Sequence, residues 1–171
     1  MENEEKIIFQ NEAAGIYTKD FFFVTGKILL QLAKRNQVPL LVAVVDIDDF
    51  EALTSEFGNA TGEKLLELTT KLIEDHCRTS DLVAFMGKGQ IGLIFYNITN
   101  VDAKNTLEVL REKVAKNTYL INNEERYMTV SIGGSIMQSR INAGAIEMVY
   151  EQACMAVETA QRKGKNCVVV Y

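Results

Sequence analysis

Residues 39–50 read PLLVAVVDIDDF. After Pro39 comes an almost unbroken run of Leu and β-branched residues, the pattern of a central strand buried on both faces. The run ends in Asp46-Ile47-Asp48-Asp49, which sets carboxylates at the C-terminal edge of whatever sheet holds the strand. Alternation points Asp46 and Asp48 to one side for as long as the extended geometry lasts. Carboxylates gathered this way can hold Mg²⁺ against a nucleotide's phosphates, because that hard cation takes oxygen ligands and keeps part of its water shell. The same residues also suit a helix start, with Asp48 or Asp49 accepting backbone N–H bonds ahead of Phe50. Spacing alone leaves both readings open.

Upstream of this strand, Phe22 to Gln37 reads as a helix with Ile28, Leu29, Leu32 and Ala33 on its apolar face. Downstream, Phe50 to Phe57 is a short helical turn stopped by Gly58. An amphipathic helix follows in ATGEKLLELTTKLIEDHC (60–77) and buries Leu65, Leu66, Leu68, Leu72 and Ile73. Residues 81–95, DLVAFMGKGQIGLIF, read as a β-hairpin whose glycines supply the positive-φ positions of a tight turn. A helix around 102–116, a strand in YMTVSIGGSIM (127–137), a helix over about 145–162 stopped by Gly164, and the strand CVVVY (167–171) complete the chain. Strands joined both by helices and by a hairpin predict an α+β fold, a mixed central sheet flanked by helices.

The bulk numbers narrow the function. At 171 residues, 47% hydrophobic and 24% charged, the chain suits one globular domain (13–171) preceded by a polar arm or helix stub (1–12). No apolar run approaches the roughly 18 residues of a membrane span, and the acidic N-terminus lacks the pattern of a secretory signal. Cys77, Cys154 and Cys167 have no metal-ligand spacing and read as reduced thiols, so a cytoplasmic location is expected. A net charge of −5 without a basic cluster argues against long nucleic acid as a partner. His76, the single histidine, reads as a helix-end residue and leaves no Ser/His/Asp set to propose.

The tip of the 81–95 hairpin reaches the Asp46 edge if the two strands are neighbours. Gly89 and Gln90 bring no carboxylate there, and Lys88 offers only a point charge to a phosphate. In order and spacing, VVDIDDF (44–50), FGNATGEKLL (57–66), RTSDLVAFMGKGQIGLIF (78–95), TVSIGGS (129–135) and AQRKGKN (160–166) resemble the GGDEF domain of diguanylate cyclases, which join two GTP molecules into cyclic di-GMP. The resemblance runs from about Asn11 to Tyr171. It implies a nucleotidyl-cyclase palm-like sheet, mostly antiparallel, with a βααββαβ core and a further hairpin or strand.

The resemblance also implies a degenerate active site. The family signature falls on Gly87-Lys88-Gly89-Gln90-Ile91. Its metal-ligand position is therefore Gly89, and its catalytic acidic position is Gln90. The first metal ligand survives as Asp46, beside the Ile47 carbonyl. Guanine-reading positions fall on Thr54 and Glu63, a phosphate-binding lysine position falls on Gln161, and Lys165 keeps a second basic position. NEAAGIYTKDFF (11–22) replaces the family's N-terminal loop and keeps mainly Gly15 and Phe22. Arg78-Thr79-Ser80-Asp81 stands where the family carries its R-x-x-D motif for cyclic di-GMP, and an arginine of the following helix aligns with Val109, two positions from Arg111.

The leading expectation is thus a catalytically inactive, regulatory GGDEF-like domain. It would bind cyclic di-GMP at Arg78 and Asp81, or a nucleotide such as GTP (with Mg²⁺) or a protein partner or sensor domain, without turnover. The alternatives are an active cyclase or other Mg-dependent nucleotide enzyme using Asp46 and Asp48 with Lys88, and a purely structural interaction module.

Overall fold

A computed structural model describes residues 16–138 and 144–171. The N-terminal arm expected over residues 1–12, and Gly15, lie outside them. The described chain runs α1 (Lys19–Asn36), β1 (Leu40–Ile47), α2 (Phe50–Phe57), α3 (Asn59–Glu74), β2 (Leu82–Gly87), β3 (Gln90–Tyr96), α4 (Asn100–Lys116), β4 (Thr118–Ile121), β5 (Glu124–Tyr127), β6 (Val130–Met137), α5 (Ile146–Arg162) and β7 (Val168–Val170).

The strand opened by Pro39 is central, as its composition requires. The main sheet has the order β2-β3-β1-β6-β7, antiparallel except for the parallel β6/β7 pair, and β4-β5 form a separate two-stranded hairpin. Every residue of β1 is buried except Asp46, which is half-buried. One face of the sheet packs Leu41, Ala43 and Val45 against α3 and α4 through Leu65, Ile73, Leu107 and Leu110. The other packs Leu40, Val42 and Val44 against α1 and α5 through Phe22, Leu30, Ile146, Ala153 and Val157. Register then sets Asp46 opposite Gln90 on β3 and opposite Ser131 on β6. The hairpin tip and the aspartate run therefore meet at one edge.

Two helix faces differ from the sequence expectation. In α1 the buried residues are Phe22, Gly26, Leu30 and Ala33, while Ile28 is 57% and Leu32 41% exposed. Gly26 explains the rotation: a Cβ there would lie 2.9 Å from both Ile146 and Ile94, so this bare backbone faces inward and lets α1 settle on the sheet and on α5. In α3, Leu65 and Ile73 are buried as expected, but Leu68 is 40% exposed and Thr69 and Thr70 take the inner face. The strand read over 127–137 begins at Val130, because Tyr127 pairs with Thr118 in the small hairpin. At the end of α3, the ring Nδ1 of His76 donates to the Leu72 carbonyl oxygen (2.7 Å), which matches its reading as a helix-end residue.

Candidate nucleotide and metal cleft

The loop between β2 and β3 is two residues long. Lys88 (φ 51°) and Gly89 (φ 76°) are both left-handed, the conformation that matches the twist of a hairpin. Lys88 accepts that conformation at a cost of about 1–2 kcal/mol that glycine would not incur. The turn is tied to β1 by the Ile47 amide, which donates to the Gly89 carbonyl (3.1 Å). Above Gly89 lies the ring of Phe50: a Cβ at position 89 would sit 2.5 Å from its Cγ and 2.6 Å from its Cδ1. Any side chain at that position requires the phenyl ring to move.

A cavity of about 560 Å³ opens here, lined among others by Asp46, Asp49, Lys88, Gln90, Gln161 and Lys165. Gln90 Nε2 donates to Asp46 Oδ2 at 2.7 Å, and Gln161, on the last turn of α5, lines the same cleft. Burial pushes the Asp46 carboxyl above its ordinary value of 3.8. The Gln90 bond opposes that shift, and the neighbouring Asp48 charge adds to it. A carboxyl raised in the folded state binds more protons folded than unfolded over the window between 3.8 and its raised value. Stability is therefore lost as pH climbs through that window, and the loss persists at neutral pH. Asp46→Asn is accordingly expected to be more stable than the wild type at neutral pH, with the gap closing below pH 3.8, in urea unfolding followed at both pH values. A wild-type advantage at neutral pH would show that Asp46 is held by more than it is strained.

Asp48, 7% exposed, is consumed by the fold. It accepts from Thr129 Oγ1 (2.6 Å), Ser131 Oγ (2.7 Å) and the Asn166 backbone amide (3.0 Å), while its own amide donates to the Thr129 carbonyl (3.0 Å). Asp48 thus ties the end of β1 to the start of β6 and to the approach to β7. It does not cap α2. Asp49 holds that N-cap position with a left-handed backbone and no side-chain capping bond, and its carboxylate instead accepts from Lys165 Nζ at 2.6 Å.

The other sequence candidates fall into two groups. Lys88 and Lys165 share the cleft with Asp46. Thr54 and Glu63 are not among its lining residues: the Thr54 hydroxyl donates to the Glu51 carbonyl (2.9 Å), its methyl packs on Gly62, and Glu63 is exposed on α3. Arg78 and Asp81 form a turn of their own between α3 and β2. The Arg78 amide donates to Asp81 Oδ2 (2.7 Å) and the Asp81 amide to the Arg78 carbonyl (3.0 Å). The Arg78 side chain is left exposed, and burial raises the pKa of Asp81 against the hydrogen bond and charge of Arg78. Arg111 is held by Glu108 (2.8 Å) and by Asn166 (2.9 Å), while Val109 is exposed on α4.

Mg²⁺, which the family signature implies, does not fit the side chains present. Mg²⁺ demands near-ideal octahedral oxygen geometry. Here Gly89 offers no side-chain ligand, Gln90 turns an N–H toward the cleft carboxylate, and Asp48, which also lines the cleft, has both oxygens engaged by Thr129, Ser131 and Asn166. Among the described residues, no three His, Cys, Asp or Glu side chains come together as a cation site.

The family profile described as "Diguanylate cyclase, GGDEF domain" matches residues 10–167. The chain belongs to the GGDEF domain family. The "Probable diguanylate cyclase DgcT" of Escherichia coli (strain K12) is 28% identical over 171 residues, covering 97% of this chain and 36% of that protein. Diguanylate cyclase DosC of the same strain is 26% identical over 140 residues, covering 81% of this chain and 30% of its own length. This GGDEF chain thus spans about a third of the length of these curated relatives. Among solved structures, the GGDEF domain of DgcB from Caulobacter crescentus in complex with c-di-GMP superposes with a TM-score of 0.87 at 21% identity, over 95% of each chain. The FimX GGDEF domain from Pseudomonas aeruginosa gives the same score at 20% identity, over 96% of this chain and 100% of that one. At these identities the likeness is one of fold, and it agrees with the mostly antiparallel sheet described above. Among the described residues no helix is long and apolar enough to cross a membrane.

Three features of the GGDEF cleft were not legible in the sequence: the place of Gln161 beside Asp46 in its lining, the partners of Asp48, and the Phe50 ring over Gly89. Only Asp48 left a trace, since Thr129 and Ser131 are two apart in the segment read from the sequence as a strand, a spacing that would put both on one face.

Proposed function

We propose that this chain is a GGDEF domain without cyclase turnover, retained as a cytoplasmic regulatory module whose candidate ligand is cyclic di-GMP at Arg78 and Asp81. One observation carries the first half. At the edge where phosphoryl transfer needs carboxylates around a metal-bound phosphate, the surviving Asp46 faces an amide donor at 2.7 Å rather than a second carboxylate. Asp48 offers no substitute, because its oxygens serve the fold.

The ligand half draws on the exposed Arg78 side chain beside a preformed turn. An arginine fork suits the O6 and N7 edge of guanine, and a carboxylate suits the base N–H groups. DgcB, similar in fold, has been crystallised with c-di-GMP, and SiaD of Pseudomonas aeruginosa with its activator SiaC, so both nucleotide and protein partners suit this scaffold.

Calorimetric titration with GTP/Mg²⁺ and with cyclic di-GMP, run beside a turnover assay, tests both halves. Expected are no turnover, and cyclic di-GMP binding that Arg78→Ala weakens by at least tenfold, about 1.4 kcal/mol. Turnover abolished by Asp46→Ala would overturn the inactive reading. No binding at millimolar concentration, or binding indifferent to Arg78→Ala, would overturn the ligand assignment.

A further inference from the structure

We infer that Gln90 acts as an amide clamp that takes the place of a cation on Asp46 and closes the cleft to divalent metal. This deepens the inactive reading above and rests on it.

Two glutamine amides from elements far apart in sequence line the cleft that holds Asp46, and one of them bonds it. Gln90 reaches the Asp46 carboxylate across the β1/β3 pair, where register sets the two residues opposite each other, and Gln161 lines the cleft from the last turn of α5. Neutral N–H donors can satisfy a carboxylate's lone pairs as a metal would, but they add no positive charge and occupy the directions a metal would need. The neighbouring aspartates are engaged as well: Asp49 by Lys165 and Asp48 by two hydroxyls and a backbone amide. A divalent ion entering the cleft must therefore displace protein partners from the side chains it would use. Gln90 changed to glutamate reverses the logic. It replaces a donor with a second carboxylate beside Asp46, and two carboxylates in contact favour a cation, or at low pH a shared proton, between them.

The probe is Mn²⁺, with the free ion followed by electron paramagnetic resonance and unfolding curves run on every variant. The wild type is expected to retain no Mn²⁺ at millimolar concentration. Gln90→Glu should gain roughly tenfold or more in Mn²⁺ affinity, the size of effect seen when groups around a metal site change. That gain should vanish when Asp46→Asn is added. Gln161→Glu, which places its carboxylate from α5 instead of the hairpin, should show the same gain and serves if Gln90→Glu does not fold. Mn²⁺ retained by the wild type and lost in Asp46→Asn overturns the clamp. So does a folded glutamate variant that gains nothing. GTP turnover measured on the same wild-type sample separates the two ideas: turnover overturns the inactive reading, while Mn²⁺ retention without turnover overturns only the clamp.

Discussion

Gly133→Ala is expected to destabilise the domain by about 3 kcal/mol, near the upper end of what overpacking usually costs. Gly133 lies in β6 directly beneath α5. A Cβ there would run into the Val157 amide nitrogen, the Ala153 carbonyl oxygen and, at 2.7 Å, the Ala156 carbonyl carbon. All three are main-chain atoms of one helix, so no rotamer change relieves the clash and α5 must lift from the sheet as a body. The neighbouring residue supplies the control. A Cβ at Gly134 meets Leu41 Cδ1 at 3.0 Å and Leu107 Cδ1 at 3.1 Å, the ends of flexible side chains that can yield by a few tenths of an ångström. Alanine also suits a strand interior better than glycine does, so Gly134→Ala should change stability by less than about 1 kcal/mol. Urea midpoints for the two variants, compared at unchanged slope, decide the matter. Equal effects would mean that α5 does not sit on β6 as closely as these contacts require.

That contrast also marks how far the sequence could be read. In TVSIGGS the two glycines are alike to any local rule, and only the crossing of α5 over β6 distinguishes them. The long apolar run of β1 needed no such context, because a strand buried on both faces writes its burial into every position. The hairpin was equally legible, since Gly87, Lys88 and Gly89 bracket its turn. The face of α1 was not. KILLQLAK offers apolar residues on more than one side of the helix, and Gly26, which draws the other side inward, carries no hydrophobic signal of its own. In the cleft, the identities of Gly89 and Gln90, neither of them a carboxylate, could be read directly. What surrounds Asp46 could not, because Gln161 joins it in one cleft only through the packing of α5.

Asp48→Ala provides the converse test of the cleft, with an expected loss of roughly 3 kcal/mol or more, since hydrogen bonds to a charged group contribute about 1.5–3 kcal/mol each and the buried donors left behind pay for their desolvation. The Thr129 and Ser131 hydroxyls and the Asn166 amide all donate to this one carboxylate. Two of its donors belong to the segment opening β6, and the third belongs to the chain leading into β7. Removing the carboxylate therefore loosens the junction of three strands at the cleft edge rather than a single contact. Asp48→Asn should recover part of the loss through its carbonyl oxygen, while its amide group faces at least one donor and cannot satisfy it. The informative comparison is with Asp46→Asn, two residues away, for which a gain at neutral pH is expected. Opposite signs in urea unfolding would divide the aspartate run into one residue kept for the fold and one residue left strained at the cleft. A destabilised Asp46→Asn beside a tolerated Asp48→Ala would reverse that division and return Asp48 to the set of candidate catalytic carboxylates.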